Sequence, residues 1–135
     1  MATLRLEIVT PEAKTYSDDV DSVVLPGVEG ELGIFPMHVP LMTQIAPGEL
    51  RVMKNGNEDR LAVGEGFVEI TQDSVSVLTD MAVLESDIDE SATEEAIRRA
   101  EAAMKDDKLT GEDHALVEAA LQKSLAKLRV KRRRR

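Results

Sequence analysis

Leu50-Arg51-Val52-Met53-Lys54-Asn55-Gly56-Asn57-Glu58-Asp59-Arg60-Leu61-Ala62-Val63 holds the clearest structural signal in the chain. Leu50-Arg51-Val52-Met53-Lys54 reads as a strand, and Asn55-Gly56 supplies the two left-handed positions of a tight hairpin turn. Arg60-Leu61-Ala62-Val63 then returns beside the first strand. Moving outward, the same kind of pattern recurs. Phe67-Val68-Glu69-Ile70-Thr71 and Ser74-Val75-Ser76-Val77-Leu78 flank the turn residues Gln72-Asp73. Toward the N-terminus, Val20-Asp21-Ser22-Val23-Val24-Leu25 reads as one β-branched strand that stops at Pro26-Gly27. Leu4, Leu6 and Ile8 alternate with Arg5 and Glu7 in another strand that ends before Pro11. Short strands recurring about every 8–12 residues predict a β-sandwich or barrel.

After Asp80 the period changes from two to nearly four. Asp87-Ile88-Asp89-Glu90-Ser91 offers several helix caps, among them the Ser91…Glu94 capping-box spacing. Ala96, Ile97, Ala100, Ala103 and Met104 follow at helical spacing. Lys105 to Glu112 breaks the pattern, and Thr110…Asp113 caps a second helix with an apolar stripe of Val117, Leu121, Leu125 and Leu128. Two helices joined by a short polar loop predict an antiparallel hairpin. Its first helix offers mainly Ala, so little apolar area leaves water when the pair docks. Both helices have good intrinsic propensity. The hairpin is thus expected to be stable in its parts, weakly docked, and able to move.

Composition removes most chemistries. The 135 residues include no Cys, no Trp, two His and 2% aromatics. Thiol catalysis, disulfides, Cys-based zinc sites and iron–sulfur clusters are excluded, and two His build no His-rich metal site. Too few aromatics remain for single-stranded nucleic acid to stack on. No nucleophile–base pair stands at catalytic spacing, so no catalytic residue and no metal ligand is assigned, and an enzyme reading falls away. No apolar run approaches a membrane span of roughly 18 residues. The start shows no basic segment followed by an apolar stretch, so the protein is expected to be made and used on one side of a membrane.

Charge is divided unevenly. The net charge is −9, yet Arg129 to Arg135 carry six positive charges and no negative one. An acidic body repels nucleic acid, while the basic end suits an acidic protein, a phosphate or an anionic membrane, or is simply solvated. Binding of Arg132 to Arg135 to anionic lipid is one such expectation.

The segment Leu25-Pro26-Gly27-Val28-Glu29-Gly30-Glu31-Leu32-Gly33-Ile34-Phe35-Pro36-Met37-His38-Val39-Pro40-Leu41 packs three Gly and three Pro around few bulky side chains. It lacks the Gly-Lys-Ser/Thr ending of a phosphate loop, and its residues alone read as an elaborate loop at one end of the sandwich. This stretch resembles the signature of the epsilon subunit family of bacterial and chloroplast F-type ATP synthases. The resemblance continues through Ile45-Ala46-Pro47-Gly48, Gly64 to Ile70, Val75 to Ala82, Asp87 to Glu90 and the Ala-rich helices, covering nearly the whole chain in order.

The resemblance implies a ten-stranded β-sandwich at 1–84 and a regulatory two-helix hairpin with basic tail at 85–135. It implies a non-catalytic central-stalk rotor subunit that joins the gamma subunit to the c ring and couples hydrogen ion transport to ATP synthesis. The helices would extend and inhibit ATP hydrolysis by meeting the catalytic beta (and alpha) subunits. Glu29, Glu31 and His38 would lie at the stalk and c-ring interface, with Glu31, on an exposed Gly-rich turn, either meeting polar c-ring loops or simply solvated. His38 would either donate to the stalk or close its own loop. Lys123, Lys127 and Arg129 would form the inhibitory helix. Membrane association would come through the complex, peripheral and on the cytoplasmic face of the bacterial cell membrane rather than a thylakoid, since no transit peptide is seen.

Some relatives bind ATP between the helices through Ile/Leu-Asp-x-x-Arg. This chain keeps Ile88 and Asp89 but has Ala92 where the Arg belongs, followed by Thr93. Arg99 matches a second basic position, and Leu116 and Lys123 stand where relatives have arginines. ATP binding through Asp89 and Arg99 is therefore expected to be weak or absent, no other cofactor is implied, and Asp89 is read as a helix cap. The alternative from another class is a free-standing β-sandwich protein-binding module with a regulatory helical tail.

Overall fold

A computed structural model describes residues 2–106 and 108–133. Ten strands come first: β1 Leu4–Val9, β2 Lys14–Val20, β3 Ser22–Gly27, β4 Gly30–Ile34, β5 Leu41–Ile45, β6 Gly48–Lys54, β7 Asn57–Val63, β8 Gly66–Ile70, β9 Ser74–Thr79 and β10 Ala82–Leu84. A 3-10 turn at Glu85–Asp87 leads to α1 (Glu90–Met104) and α2 (Gly111–Arg133). The strands join in the order β10-β7-β6-β3-β5-β8-β9-β1-β2, with β4 added to β3. Only the β1–β9 pairing among these is parallel. The sheet wraps on itself as a nearly closed sandwich, so the inward residues of all layers meet in one core.

The β6–β7 hairpin forms where Asn55-Gly56 asks for it, with φ of 52° and 81° at the two turn residues. In β1, Leu4, Leu6 and Ile8 are buried while the residues between them face outward. β8 and β9 pair around Gln72-Asp73, with Val68 and Ile70 opposite Val77 and Val75 in the core.

Three differences from the sequence reading have physical causes. The expected strand Val20–Leu25 is broken at Asp21, whose N–H donates to Met53 O at 2.8 Å while its carboxylate accepts from Asn55 N at 2.9 Å. Asp21 thereby turns the chain from β2 into β3. β2 itself carries few apolar residues because it is the last strand of the path, and its charges are matched across to β1. Lys14 meets Glu7 at 3.4 Å and Arg5 meets Asp19 at 3.5 Å. Such an edge resists pairing with another chain. Finally, the Gly-rich segment is largely strand: β4 runs back along β3 from Gly30↔Gly27 to Ile34↔Val23. Pairing and the burial of Ile34 override its poor strand propensity.

The helices begin as their caps dictate. Asp89, rather than the Ser91…Glu94 box, caps α1: its Oδ1 accepts from Ala92 N at 3.0 Å, and Thr93 Oγ1 donates to Asp89 O at 2.7 Å. Burial of Ile88 just before the cap sets this earlier entry. Thr110 Oγ1 accepts from Asp113 N at 3.1 Å at the start of α2.

The apolar side of α2 is wider than the expected stripe. Leu121 is buried, but Ala126 and Val130 are buried more deeply, while Val117, Leu125 and Leu128 are half-buried. The cause is that α2 packs against both α1 and the outer face of β6 and β7. Strand parity explains the second contact. Leu61 and Val63 point into the main core, and Ala62 between them points out, into a separate small cluster with Ile88, Val130, Met81 and Val83.

Candidate functional site

Two surfaces qualify. The first is an apolar face on the sandwich. Phe67 and Leu78 lie directly opposite each other on β8 and β9, and Gln44 of β5 pairs with Phe67. The next outward row holds Met42, Glu69 and Ser76. Met42, Phe67 and Leu78 are 66%, 53% and 55% exposed, beside Val28 at 53%. A groove of about 460 Å³ lies beside Phe67, lined by Val28, Gln44, Ile45 and Gly66 and by the acidic residues Glu65 and Asp80. Phe35, Met37 and Val39 add further exposed apolar side chains in the β4–β5 connection. Exposed aliphatic and aromatic groups on adjacent strands are the usual mark of a protein-binding surface. The sequence carried the signal as parity: if Val68, Ile70, Val75 and Val77 point in, Phe67 and Leu78 must point out.

The residues expected at the stalk and c-ring interface stand in different settings. Glu29 is exposed in the two-residue turn between β3 and β4. Glu31 is not on a turn: it belongs to β4, opposite Pro26, and Arg51 Nη1 donates to its Oε2 at 3.2 Å. The same Arg51 nitrogen reaches the buried Glu49 at 3.1 Å. Burial pulls the Arg51 pKa down, but the hydrogen bond to Glu49 and the charge of Glu31 more than offset this and leave it raised. Glu31 is thus an anchored carboxylate with an open flank. His38 Nδ1 donates to Val39 O at 2.7 Å, which fixes a proton on that nitrogen. Met37 beside it holds a left-handed φ of 68°, with its N–H bonded to Gln72 O at 2.7 Å.

The second surface is the helical hairpin. Lys123 pairs with Asp80 at 3.0 Å, tying the middle of α2 to the β9–β10 turn. Lys131 Nζ donates to Glu85 O at 3.2 Å and lies 3.9 Å from its carboxylate. Arg132 bridges Glu90 at 3.1 Å and Glu94 at 2.6 Å in the first turns of α1. Arg129 is exposed and Lys127 half-buried. Of the basic tail, Arg134 and Arg135 lie outside the described residues.

Asp89 and Lys127 line one cleft of about 240 Å³ between the helices, with Asp87, Ala92, Thr93 and Ser124. Arg99 is not part of that lining; it pairs with Glu95 at 3.3 Å on the exposed side of α1. Asp89 also spends a carboxylate oxygen on the helix cap. One lysine facing two carboxylates does not fit a triphosphate, which needs several cationic or guanidinium donors. Among the described residues no cluster of three or more His, Cys, Asp or Glu is placed to hold a metal ion.

Comparisons with known proteins identify the family. A family model described as "ATP synthase, Delta/Epsilon chain, beta-sandwich domain" matches residues 3–85, and one described as "ATP synthase, Delta/Epsilon chain, long alpha-helix domain" matches residues 86–132. The ATP synthase epsilon chain of Dehalococcoides mccartyi is 44% identical over 135 residues, covering 100% of this chain and 96% of the relative. That of Herpetosiphon aurantiacus is 43% identical over 132 residues, covering 98% and 96%. A chain in a cryo-EM structure of the Euglena gracilis mitochondrial ATP synthase superposes with a TM-score of 0.76 at 24% identity, covering 90% of this chain and 77% of that one. That last likeness carries the fold.

Proposed function

This chain belongs to the ATP synthase delta/epsilon chain family, and from that premise we propose how its two surfaces divide the work of a non-catalytic rotor subunit. The sandwich, residues 1–84, docks through its apolar face on the gamma subunit. Its acidic turn at Glu29, the anchored Glu31 and the free Nε2 of His38 meet the c ring. The hairpin, residues 85–135, is a brake on ATP hydrolysis. When α2 leaves the sandwich, its cations, Lys123, Lys127 and Arg129 foremost, meet acidic surface on the catalytic beta subunits. The rotor so assembled couples hydrogen ion transport to ATP synthesis.

The observation that carries this reading is the contrast between the two apolar clusters. The sandwich has its own continuous core, whereas the hairpin is held to it by a small satellite cluster and by ion pairs. A unit held in that way opens at a lower cost than global unfolding. Half-exposed ion pairs contribute about 0.2–1 kcal/mol each, so an acidic partner of similar quality competes with them. The cleft at Asp89 and Lys127 supports weak or absent control by ATP.

Among the described residues no helix is long and apolar enough to cross a membrane. Association with the membrane-bound complex therefore runs through the gamma and c-ring contacts, at the cytoplasmic face. The test is ATP hydrolysis by the cognate alpha–beta–gamma core with the full chain and with residues 1–84. Binding by both, with inhibition by the full chain only, is the expected result. Failure of both to bind gamma overturns the docking role, and equal inhibition by both removes the brake from the helices.

A further inference from the structure

We propose that Asp80 is an internal decoy carboxylate: it occupies Lys123 in the docked hairpin and withholds that cation from an acidic partner surface. The inference rests on the reading of the hairpin as a brake and names the contact that sets it. Lys123 is a central cation of α2, two turns before Lys131, and the docked helix presents both toward carboxylates of this same chain. The Nζ of Lys123 lies 3.0 Å from Asp80 Oδ2. Further along, Lys131 and Arg132 are taken by Glu85 and by Glu90 with Glu94.

Of the three cations assigned to the brake, Lys123 is thus the one that must leave a carboxylate of the sandwich before it can engage an outside one; the ion pairs further along α2 involve Lys131 and Arg132. At Lys123 one ion pair is exchanged for another. Removal of a single partner then shifts the balance measurably.

Asp80 is the contact most free to act this way. Its backbone is fixed, since its N–H donates to Glu65 O at 3.3 Å. Its side chain stands over Gly64, where a Cβ would sit only 1.9 Å from Oδ1. The absence of a side chain at residue 64 is what lets the carboxylate lean toward α2. The pair is only partly exposed, with side-chain exposures of 32% for Lys123 and 39% for Asp80. Glu85 and Glu90, by contrast, are also engaged by other groups of the fold. Asp80 therefore acts on the brake by holding Lys123, although it also borders the groove beside Phe67.

The test uses the full chain and two readouts. Hydrogen exchange of α2 amides reports docking in the free protein, and titration of ATP hydrolysis by the cognate alpha–beta–gamma core reports braking. Asp80→Asn keeps the shape and removes the charge. It is expected to speed α2 exchange by about two- to fivefold with strand exchange unchanged, and to lower the half-inhibitory concentration by a similar factor. Lys123→Gln is expected to speed α2 exchange equally but to raise the half-inhibitory concentration. The exchanged pair Asp80→Lys with Lys123→Asp is expected to restore docking while braking stays weak.

Unchanged α2 exchange in Asp80→Asn overturns the proposal, as does faster exchange in the strands, which marks a structural role. Faster α2 exchange with no gain in braking also overturns it, because the freed Lys123 then does not act on the partner. If the unsubstituted chain does not inhibit at all, the brake itself fails, and that outcome is separate because the exchange measurement does not depend on it.

Discussion

Replacing Val130 by Ala probes the division between the two apolar clusters most directly. Val130 is fully buried, but its neighbours are Ala62, Ile88, Met81 and Val83, not the sandwich core. The substitution removes two methyl groups, worth about 1.6 kcal/mol at about 0.8 kcal/mol per buried CH₂. A partly collapsed cavity brings the total to about 1.6–2.5 kcal/mol. If the hairpin docks as its own unit, this loss falls on docking alone. Amide exchange in α1 and α2 should then accelerate by about 10- to 60-fold at constant strand protection. Val52→Ala is the matched control, since Val52 is fully buried within the main core. That variant should lower the protection of the strands by a comparable factor. Equal acceleration in strands and helices of Val130→Ala would refute the separation and with it a hairpin that can leave an intact sandwich.

Other substitutions test local chemistry. A Cβ on Gly66 would lie 1.9 Å from Leu78 O, so Gly66→Ala should destabilise by about 3 kcal/mol in urea unfolding. Gly56→Ala meets open space and should cost only about 1 kcal/mol, from its positive φ. Met37 adopts φ of 68° and is 70% exposed, so Met37→Gly should raise the urea midpoint at unchanged slope, a gain of about 0.5–1 kcal/mol in stability. Weaker gamma or c-ring binding by that variant would explain why a strained residue stands there. The hydrogen bond from Lys54, then that from the Asp19 N–H, holds the Asp18 pKa below its ordinary value, and the same bond to Asp18 raises that of Lys54. The stabilisation from Asp18 is present above its unfolded pKa and fades as pH falls through its folded value. That from Lys54 is present below its unfolded pKa and fades as pH rises through its folded value. Carboxyl carbon shifts should show the Asp18 midpoint moving upward in Lys54→Gln; an unmoved midpoint would dissociate the pair.

The candidate site was legible in kind but not in arrangement. Glu29, Glu31 and His38 share one Gly- and Pro-rich segment, yet the fold gives each a different setting. Glu31 is anchored by Arg51, which lies 20 residues away, and His38 Nδ1 turns back onto Val39. The apolar face was available from parity alone, but recognising it requires knowing which side of β8 and β9 faces the core. Asp89 and Lys127 meet in one cleft while Arg99 is carried to the other side of α1, a difference set by how the two helices pack.

Local patterns determined the rest. Asn55-Gly56 dictates its hairpin because few residues tolerate two successive positive φ angles. Period-two burial in β1, β8 and β9, and the caps at Asp89 and Thr110, are likewise effects of neighbours within a few residues. The change of period after Asp80 divides the chain before any contact is known. Tertiary structure alone decided what depends on distant partners. A polar β2 becomes a strand because β1 matches its charges, and Gly-rich β4 does so because β3 pairs with it. Ala126 and Val130 outrank Leu125 and Leu128 in burial because Ala62, outward-facing on β7, leaves room for α2 to settle on the sheet.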